Sequence, residues 1–391
     1  MRPRERLRRA MLTAWGRISQ QRRAASSGAP VRRILVIRPD HLGDLLFAFP
    51  AIHLLRAAFP SATITALVGP WGRAVIERHP AVDEVRTCEF PGFTRQPKGS
   101  LLAPYRLLAH EADHLRDFDL AVVLRHDHWW GALLAHTAGI PQRWGYGIPE
   151  CAPFLTTAVP YSPGRHEAEQ NLTLVRGACA ATGLSCPAAD APTQLEFPFS
   201  AAEAAFARDL LSSRGVPETT PLIAIHPGAG AAVKLWPRER HAQVADALAD
   251  GWGARIVLTG SRDELGLAWA VAAAMRYDPV VLAGMTSLGQ LAALLATCDL
   301  VIGADSGPLH LAVAVGTPTV HLYGPADPRL FGPWAPHAPE RHRVVMSPRP
   351  CAPCHRLDYT PGELPAHPCM AEIKVTQVLD TIAEMRRAGV I

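Results

Sequence analysis

The chain has 391 residues, more than one ordinary hydrophobic core takes, so two domains are expected. With 48% hydrophobic and 19% charged residues it has the composition of a globular protein. The net charge of +4 hides an asymmetry: residues 1–33 carry ten arginines against the single acid Glu5, leaving −5 for the remainder. Basic character confined to a tail argues against a nucleic-acid-binding body.

In chain order, residues 1–33 read as a basic extension. Within it Leu7, Met11, Ala14, Trp15 and Ile18 form one apolar stripe on an arginine-rich helix. Such a stripe over residues 1–23 suits contact with an anionic membrane surface, and a plain unstructured extension is the alternative. Its composition also resembles a mitochondrial transit peptide, a reading that the family resemblance given below argues against. No apolar run approaches the ~18 residues of a membrane span, and no secretory signal precedes the first strand. The eight cysteines are scattered except for the last three, which fits a reducing cytoplasm rather than a disulfide scaffold.

Ile34–Ile37 reads as a short buried strand, followed by an amphipathic helix over about 44–58. Strands over 62–68 and 119–124 come next. Residues 187–221 turn rich in Pro, Ala and Thr, and the domain boundary is placed there, giving domains over 34–200 and 201–391. The pattern then restarts with a strand at 222–225, a helix at 238–250, a strand at 254–258 and a helix at 263–276. Further strands are expected at 280–282, 300–303 and 319–323, and a closing helix at 373–388. Strand–helix alternation of this kind means α/β domains, each a doubly wound parallel sheet. Two such domains in series place their ligands at a shared crevice outside the strand carboxyl ends.

Three segments carry candidate chemistry. Arg38-Pro-Asp-His-Leu-Gly-Asp44 puts Asp44 at the start of the first helix. An acid there offsets the helix dipole, and it also stands where a general base would. His226-Pro-Gly228-Ala-Gly-Ala-Ala-Val-Lys234 is a strand–helix loop with glycines and one lysine. It is not a Walker A loop, yet backbone N–H groups and an ammonium are what a diphosphate needs. The third segment, Asp305-Ser306-Gly307-Pro308-Leu309-His310, opens a helix that Asp305 or Ser306 can cap. Peptide N–H groups around Gly307 and Leu309 would face an anion there. Between these segments, Asp263 or Glu264 could accept ribose hydroxyls, or simply start a helix. Cys351, Cys354 and Cys369, with His355 and His367 nearby, are weak candidates for a metal. No second Cys-x-x-Cys completes the set, so no metal is assigned.

Together these segments resemble glycosyltransferase family 9, the ADP-heptose:lipopolysaccharide heptosyltransferases and their relatives. The likeness rests on Ile34–Leu46 with Pro50-Ala-Ile52, on His226–Gly230 with Lys234–Pro237, and on Asp305–Pro318 with Tyr323–Pro328. It covers about residues 33–375 and leaves the tail outside. The resemblance implies GT-B architecture, two Rossmann-like domains with a cleft between them. It further implies ADP-heptose as donor, inversion at the anomeric carbon, no metal and no cofactor beyond the donor. Asp44 matches the family base, Lys234 the phosphate-binding lysine, and Asp305–His310 with Gly228 the donor segment. Asp263 and Glu264 stay unresolved between them. The acceptor would be an anionic glycolipid at the cytoplasmic face of the inner membrane, met by Arg125, His126, Arg143 and Arg165. A family member using another nucleotide sugar, or a catalytically silent sugar-nucleotide-binding member, are the alternatives. An NAD-dependent oxidoreductase is disfavoured, because no Gly-x-Gly-x-x-Gly follows the first strand.

Overall fold

The computed structural model describes residues 30–94, 102–186 and 193–391, so the apolar stripe of residues 1–23 lies outside the described residues. Two compact units divide between Thr193 and Gln194. Unit 1 runs β1 (Arg33–Arg38), α1 (Leu42–Leu46), α2 (Phe49–Ala58), β2 (Thr63–Val68), α3 (Arg73–Ile76), β3 (Glu84–Thr87), α4 (Ala103–Asp113), β4 (Leu120–Val123), α5 (Trp129–Thr137), β5 (Gln142–Tyr146), β6 (Thr157–Val159) and α6 (Glu167–Thr182). Unit 2 runs α7 (Ala201–Ser213), β7 (Leu222–His226), α8 (Arg238–Trp252), β8 (Arg255–Leu258), α9 (Leu265–Ala272), β9 (Val280–Val281), α10 (Leu288–Ala296), β10 (Leu300–Ala304), α11 (Gly307–Ala314), β11 (Thr319–Tyr323), α12 (Pro328–Phe331), β12 (His342–Met346) and α13 (Val375–Arg387).

Among the described residues each unit holds one six-stranded sheet, ordered β3-β2-β1-β4-β5-β6 and β12-β11-β10-β7-β8-β9. Counted from the first strand of its own unit, each is the 3-2-1-4-5-6 order of the Rossmann fold. Every pairing is parallel. Strands such as Ile34–Ile37 and Leu300–Ile302 are unbroken apolar runs because helices cover both faces of a parallel sheet. The order reverses between β1 and β4 in unit 1, and between β7 and β10 in unit 2. Loops leaving those neighbouring strands diverge there, and that divergence opens the crevice in which such folds bind ligands.

The single helix expected over 44–58 is instead two. Pro50 cannot supply an N–H, and its ring would collide with the carbonyl four residues back, so α1 ends at Leu46 and α2 begins afresh at Phe49. The closing helix α13 packs on unit 2, where Val378, Ile382 and Met385 join the core built around β7, β8 and β10.

Candidate functional site

In unit 2, β7 and β10 are neighbours, with His226 in register with Gly303. The loops that leave their carboxyl ends therefore meet. Lys234 Nζ lies 2.6 Å from Asp305 Oδ2. The other carboxylate oxygen is 3.3 Å from His310 Nε2 and accepts from the Tyr323 hydroxyl at 3.3 Å. Burial alone would push the Asp305 carboxyl up. The His310 hydrogen bond and the Lys234 ammonium outweigh that and hold it well below the usual carboxylate range. Tyr323, which ties the same oxygen to the Phe331 carbonyl at 2.6 Å, has no role in the sequence reading beyond its place in a motif.

The expected cap of α11 is not made. Ser306 stands at the N-cap, but its extended backbone sends no side-chain bond back, and its buried hydroxyl has no hydrogen-bond partner among the described residues. The Leu309 and His310 N–H groups are bonded to the Ser306 carbonyl, at 3.1 and 3.3 Å. Pro308 has no N–H. The expectation of anion-facing N–H groups over Gly307–Leu309 therefore narrows to the Gly307 N–H, and the Ser306 hydroxyl is buried.

On the other side of β7, the loop after β8 separates the two acids that follow it. Asp263 stands exposed. Glu264 turns inward, accepts from the Ser261 N–H at 2.7 Å, and approaches His226 Nε2 at 3.9 Å. It lies so close to Gly228 that a Cβ there would sit 1.9 Å from Glu264 Oε1. Burial keeps the His226 imidazole below its ordinary pKa, so it stays neutral while its Nδ1 lies 3.2 Å from the Thr259 hydroxyl.

In unit 1, Asp44 is half-buried in the first turn of α1, just past β1. Around it lies a set of charges that sequence order does not reveal. Arg38, fully buried at the end of β1, contacts Asp40 at 2.6 Å and Glu167 at 2.8 Å, and donates to Asn171 Oδ1 at 3.0 Å. Asn171 in turn donates to the Phe47 carbonyl at the break between α1 and α2. Arg125, past β4, pairs with Asp40 and, at 2.5 Å, with Asp127. Burial, and secondarily the Asp40 carboxylate, raise the Asp44 carboxyl to about 7, with Arg38 and Arg125 opposing.

The expected acceptor residues divide. Arg125 belongs to this charge cluster, and His126 stacks on Tyr161 at 4.3 Å. Arg143 spends its guanidinium on the backbone carbonyls of Phe154, at 2.7 Å, and of Ile140. Arg165 pairs at 3.4 Å with Glu169, one helical turn away.

In unit 2, Cys351, Cys354, His367 and Cys369 line one small cavity. Among the described residues no group of three or more His, Cys, Asp or Glu side chains is arranged to hold a metal ion. No helix among them is long and apolar enough to cross a membrane.

Two Rossmann-type units in series, with Lys234 paired to Asp305 at one switch point and Asp44 among Arg38, Asp40, Glu167 and Arg125 at the other, have the GT-B architecture of glycosyltransferases. The sequence model of glycosyltransferase family 9 (heptosyltransferase) matches residues 113–360, and the chain belongs to that family. Lipopolysaccharide heptosyltransferase 2 of Salmonella typhimurium is 30% identical over 314 residues, 77% of this chain and 85% of that protein. Lipopolysaccharide heptosyltransferase 3 of Escherichia coli is 27% identical over 304 residues, 75% of this chain and 82% of its own length. Among solved structures, a family 9 glycosyltransferase from Veillonella parvula superposes with a TM-score of 0.71 at 25% identity, covering 90% of this chain and 97% of its own. The E. coli ADP-heptose LPS heptosyltransferase II gives 0.67 at 25%, covering 90% and 98%.

Proposed function

We propose that this glycosyltransferase moves heptose from ADP-heptose to a lipopolysaccharide core acceptor, with inversion. The observation that carries the mechanism is the Asp44 carboxyl, raised to about 7 at the carboxyl end of β1. A base with that pKa is substantially ionised at neutral pH yet still basic enough to accept a proton in the transition state. Asp44 takes the acceptor hydroxyl proton as that oxygen bonds to the anomeric carbon. The bond from that carbon to the β-phosphate oxygen breaks, and its electron pair leaves with ADP.

Unit 2 holds the donor. Lys234 and the Gly307 N–H meet the charge growing on the diphosphate, and positioned donors of this kind lower the barrier most where charge develops. Glu264 accepts the ribose hydroxyls, a role Gly228 permits by leaving room for the carboxylate. Unit 1 holds the acceptor near Arg125 and His126. A glycolipid acceptor places the reaction at the cytoplasmic face of the inner membrane, whose anionic surface suits the arginines of residues 1–23.

A thermal-shift screen of nucleotide sugars tests the donor, since a ligand bound to the folded state raises its stability by mass action. ADP-heptose should raise the melting temperature more than UDP- or GDP-sugars. A preference for either of the latter overturns the donor and leaves the family standing.

A further inference from the structure

One helix of unit 2 breaks a rule that its neighbours keep. Surface helices bury one apolar stripe and turn charged or polar residues to water. The exposed positions of α8 are Arg238, Glu239, Gln243 and Asp250, and those of α13 include Asp380, Glu384, Arg386 and Arg387. In α9 and the turn that follows it, residues 265–275, no side chain is polar. The inner stripe is ordinary: Ala268 and Val271 join the core, and Ala272 and Met275 pack against it. The outer stripe is Leu265, Gly266, Trp269 and Ala273, and all four are exposed, Trp269 at 58% and Leu265 at 37%. A continuous apolar face of this kind marks a surface that another surface covers.

The charges at its two ends identify the occupant. Arg262 and Asp263 stand exposed at the amino end, and Asp278 at the carboxyl end. None of these three side chains has an ion pair or hydrogen bond among the described residues. Arg276, beside the carboxyl end, is already paired with Asp246 and Asp250, at 3.4 and 2.5 Å. An anionic lipid surface calls for a basic rim, and the unpaired rim here carries two acids against one base. A two-fold axis across the stripe instead sets the amino end of one copy against the carboxyl end of the other. Arg262 then faces Asp278 of the partner subunit, and the symmetry makes that pair twice. Leu265 comes to the small Ala273 of the partner subunit, and the two Trp269 rings pack near the axis.

We propose that the outer face of α9 is the contact of a reversible homodimer, two copies packed antiparallel about Trp269 and set in register by two Arg262–Asp278 pairs. The dimer is independent of the donor reading, because no group assigned to donor binding or proton transfer takes part in it. A helix of eight residues offers less surface than a permanent interface needs, so the pair should dissociate with a Kd of about 10 µM.

Sedimentation velocity of the full chain, from about 1 to 100 µM, tests it. The wild type should move from the mass of one chain to that of two as concentration rises. Trp269→Glu, at an exposed position, should sediment as one chain throughout and melt at the wild-type temperature, which separates a lost contact from a lost fold. Arg262→Asp should weaken association about tenfold, and adding Asp278→Arg should restore it. Trp269→p-benzoylphenylalanine should, on irradiation, join two chains within residues 262–278. A wild type that stays one chain at the highest concentration, a Trp269→Glu protein that still pairs, or a double variant that fails to recover would overturn the dimer. So would a cross-link from position 269 to residues 1–29 of the same chain, or binding to phosphatidylglycerol vesicles that Trp269→Glu abolishes, since either gives the face to another occupant.

Discussion

Lys234 Nζ and Asp305 Oδ2, 71 residues apart in sequence, meet at 2.6 Å because β7 and β10 are adjacent in the sheet of unit 2. Under the proposed function the pair serves stability and donor binding at once, and the two effects can be separated. Lys234→Met leaves Asp305, 7% exposed, with only His310 and Tyr323 at 3.3 Å. The expected loss is about 1–3 kcal/mol, read as a lower melting temperature, and Asp305→Asn in the same background should recover part of it. Donor affinity should fall about 10- to 100-fold by calorimetry, the loss of one charge-assisted contact to phosphate. A Lys234→Met protein that binds donor as well as the wild type contradicts the assignment.

Acid should act through the same pair. The Asp305 carboxyl is held below its unfolded range, so its contribution is present above that range and disappears as pH falls beneath about 4. Asp305→Asn should flatten the acid side of a melting-temperature profile and change the neutral side by a near-constant offset.

Gly228→Ala tests the place of Glu264. A Cβ at 228 would lie 1.9 Å from Glu264 Oε1, so the carboxylate must swing away. Adenosine and ADP should both bind more weakly, by about tenfold. Circular dichroism should be unchanged, because the loop and not the sheet is altered. If binding of adenosine survives intact, Glu264 is not the ribose acceptor.

Asp44→Asn should reduce transfer by about 10²–10⁴-fold and keep donor binding. It should also stabilise the protein, with a defined pH dependence. A carboxyl raised to about 7 in the folded state is most stabilising when protonated, and that advantage is lost as pH rises from about 4 through 7. The variant should therefore melt higher than the wild type at pH 8 and nearly equal it at pH 4. A lower melting temperature at pH 8 would show that the ionised carboxylate is favoured where it sits.

The pH–rate profile should have an acid limb near 7, the pH at which Asp44 ionises. The charges facing that carboxyl are Arg38, Asp40, Glu167 and Arg125. Asp40→Asn removes a negative neighbour and releases Arg38 and Arg125 from it, and both changes favour the ionised base. The limb should move to lower pH, and a shift upward would contradict the cluster.

Much of this was legible in the chain, and the exceptions share a cause. Strands built from runs such as Leu222-Ile-Ala-Ile225 or Leu300-Val-Ile302 declare themselves through buried β-branched residues. By contrast Glu84-Val-Arg-Thr87, Gln142-Arg-Trp-Gly-Tyr146 and Thr157-Ala-Val159 escape, being polar, interrupted by glycine or short. The loops around Lys234 and Asp305 were visible because each is a compact motif. The cluster around Asp44 was not. Arg38 meets Asn171 across 133 residues of sequence, and no local spacing encodes that meeting. Ser306 shows the limit of capping rules: its residue type suits an N-cap, but its side chain turns inward instead.

The packing of α13 bears on how the protein is made. Unit 1 is contiguous, and its last helix, α6, brings Leu172, Leu174, Val175 and Ala178 to the interior before any of unit 2 has been synthesised. Unit 2 lacks Val378, Ile382 and Met385 until α13 has emerged, well after the loops that bear Lys234, Glu264 and Asp305. Domains fold as units while the chain emerges, so the half that bears Asp44 matures first. The half that bears Lys234 and Asp305 waits, its apolar sheet incompletely covered, for one late helix. Limited proteolysis of stalled nascent chains should therefore find unit 2 protease-sensitive until α13 has emerged, and unit 1 already protected.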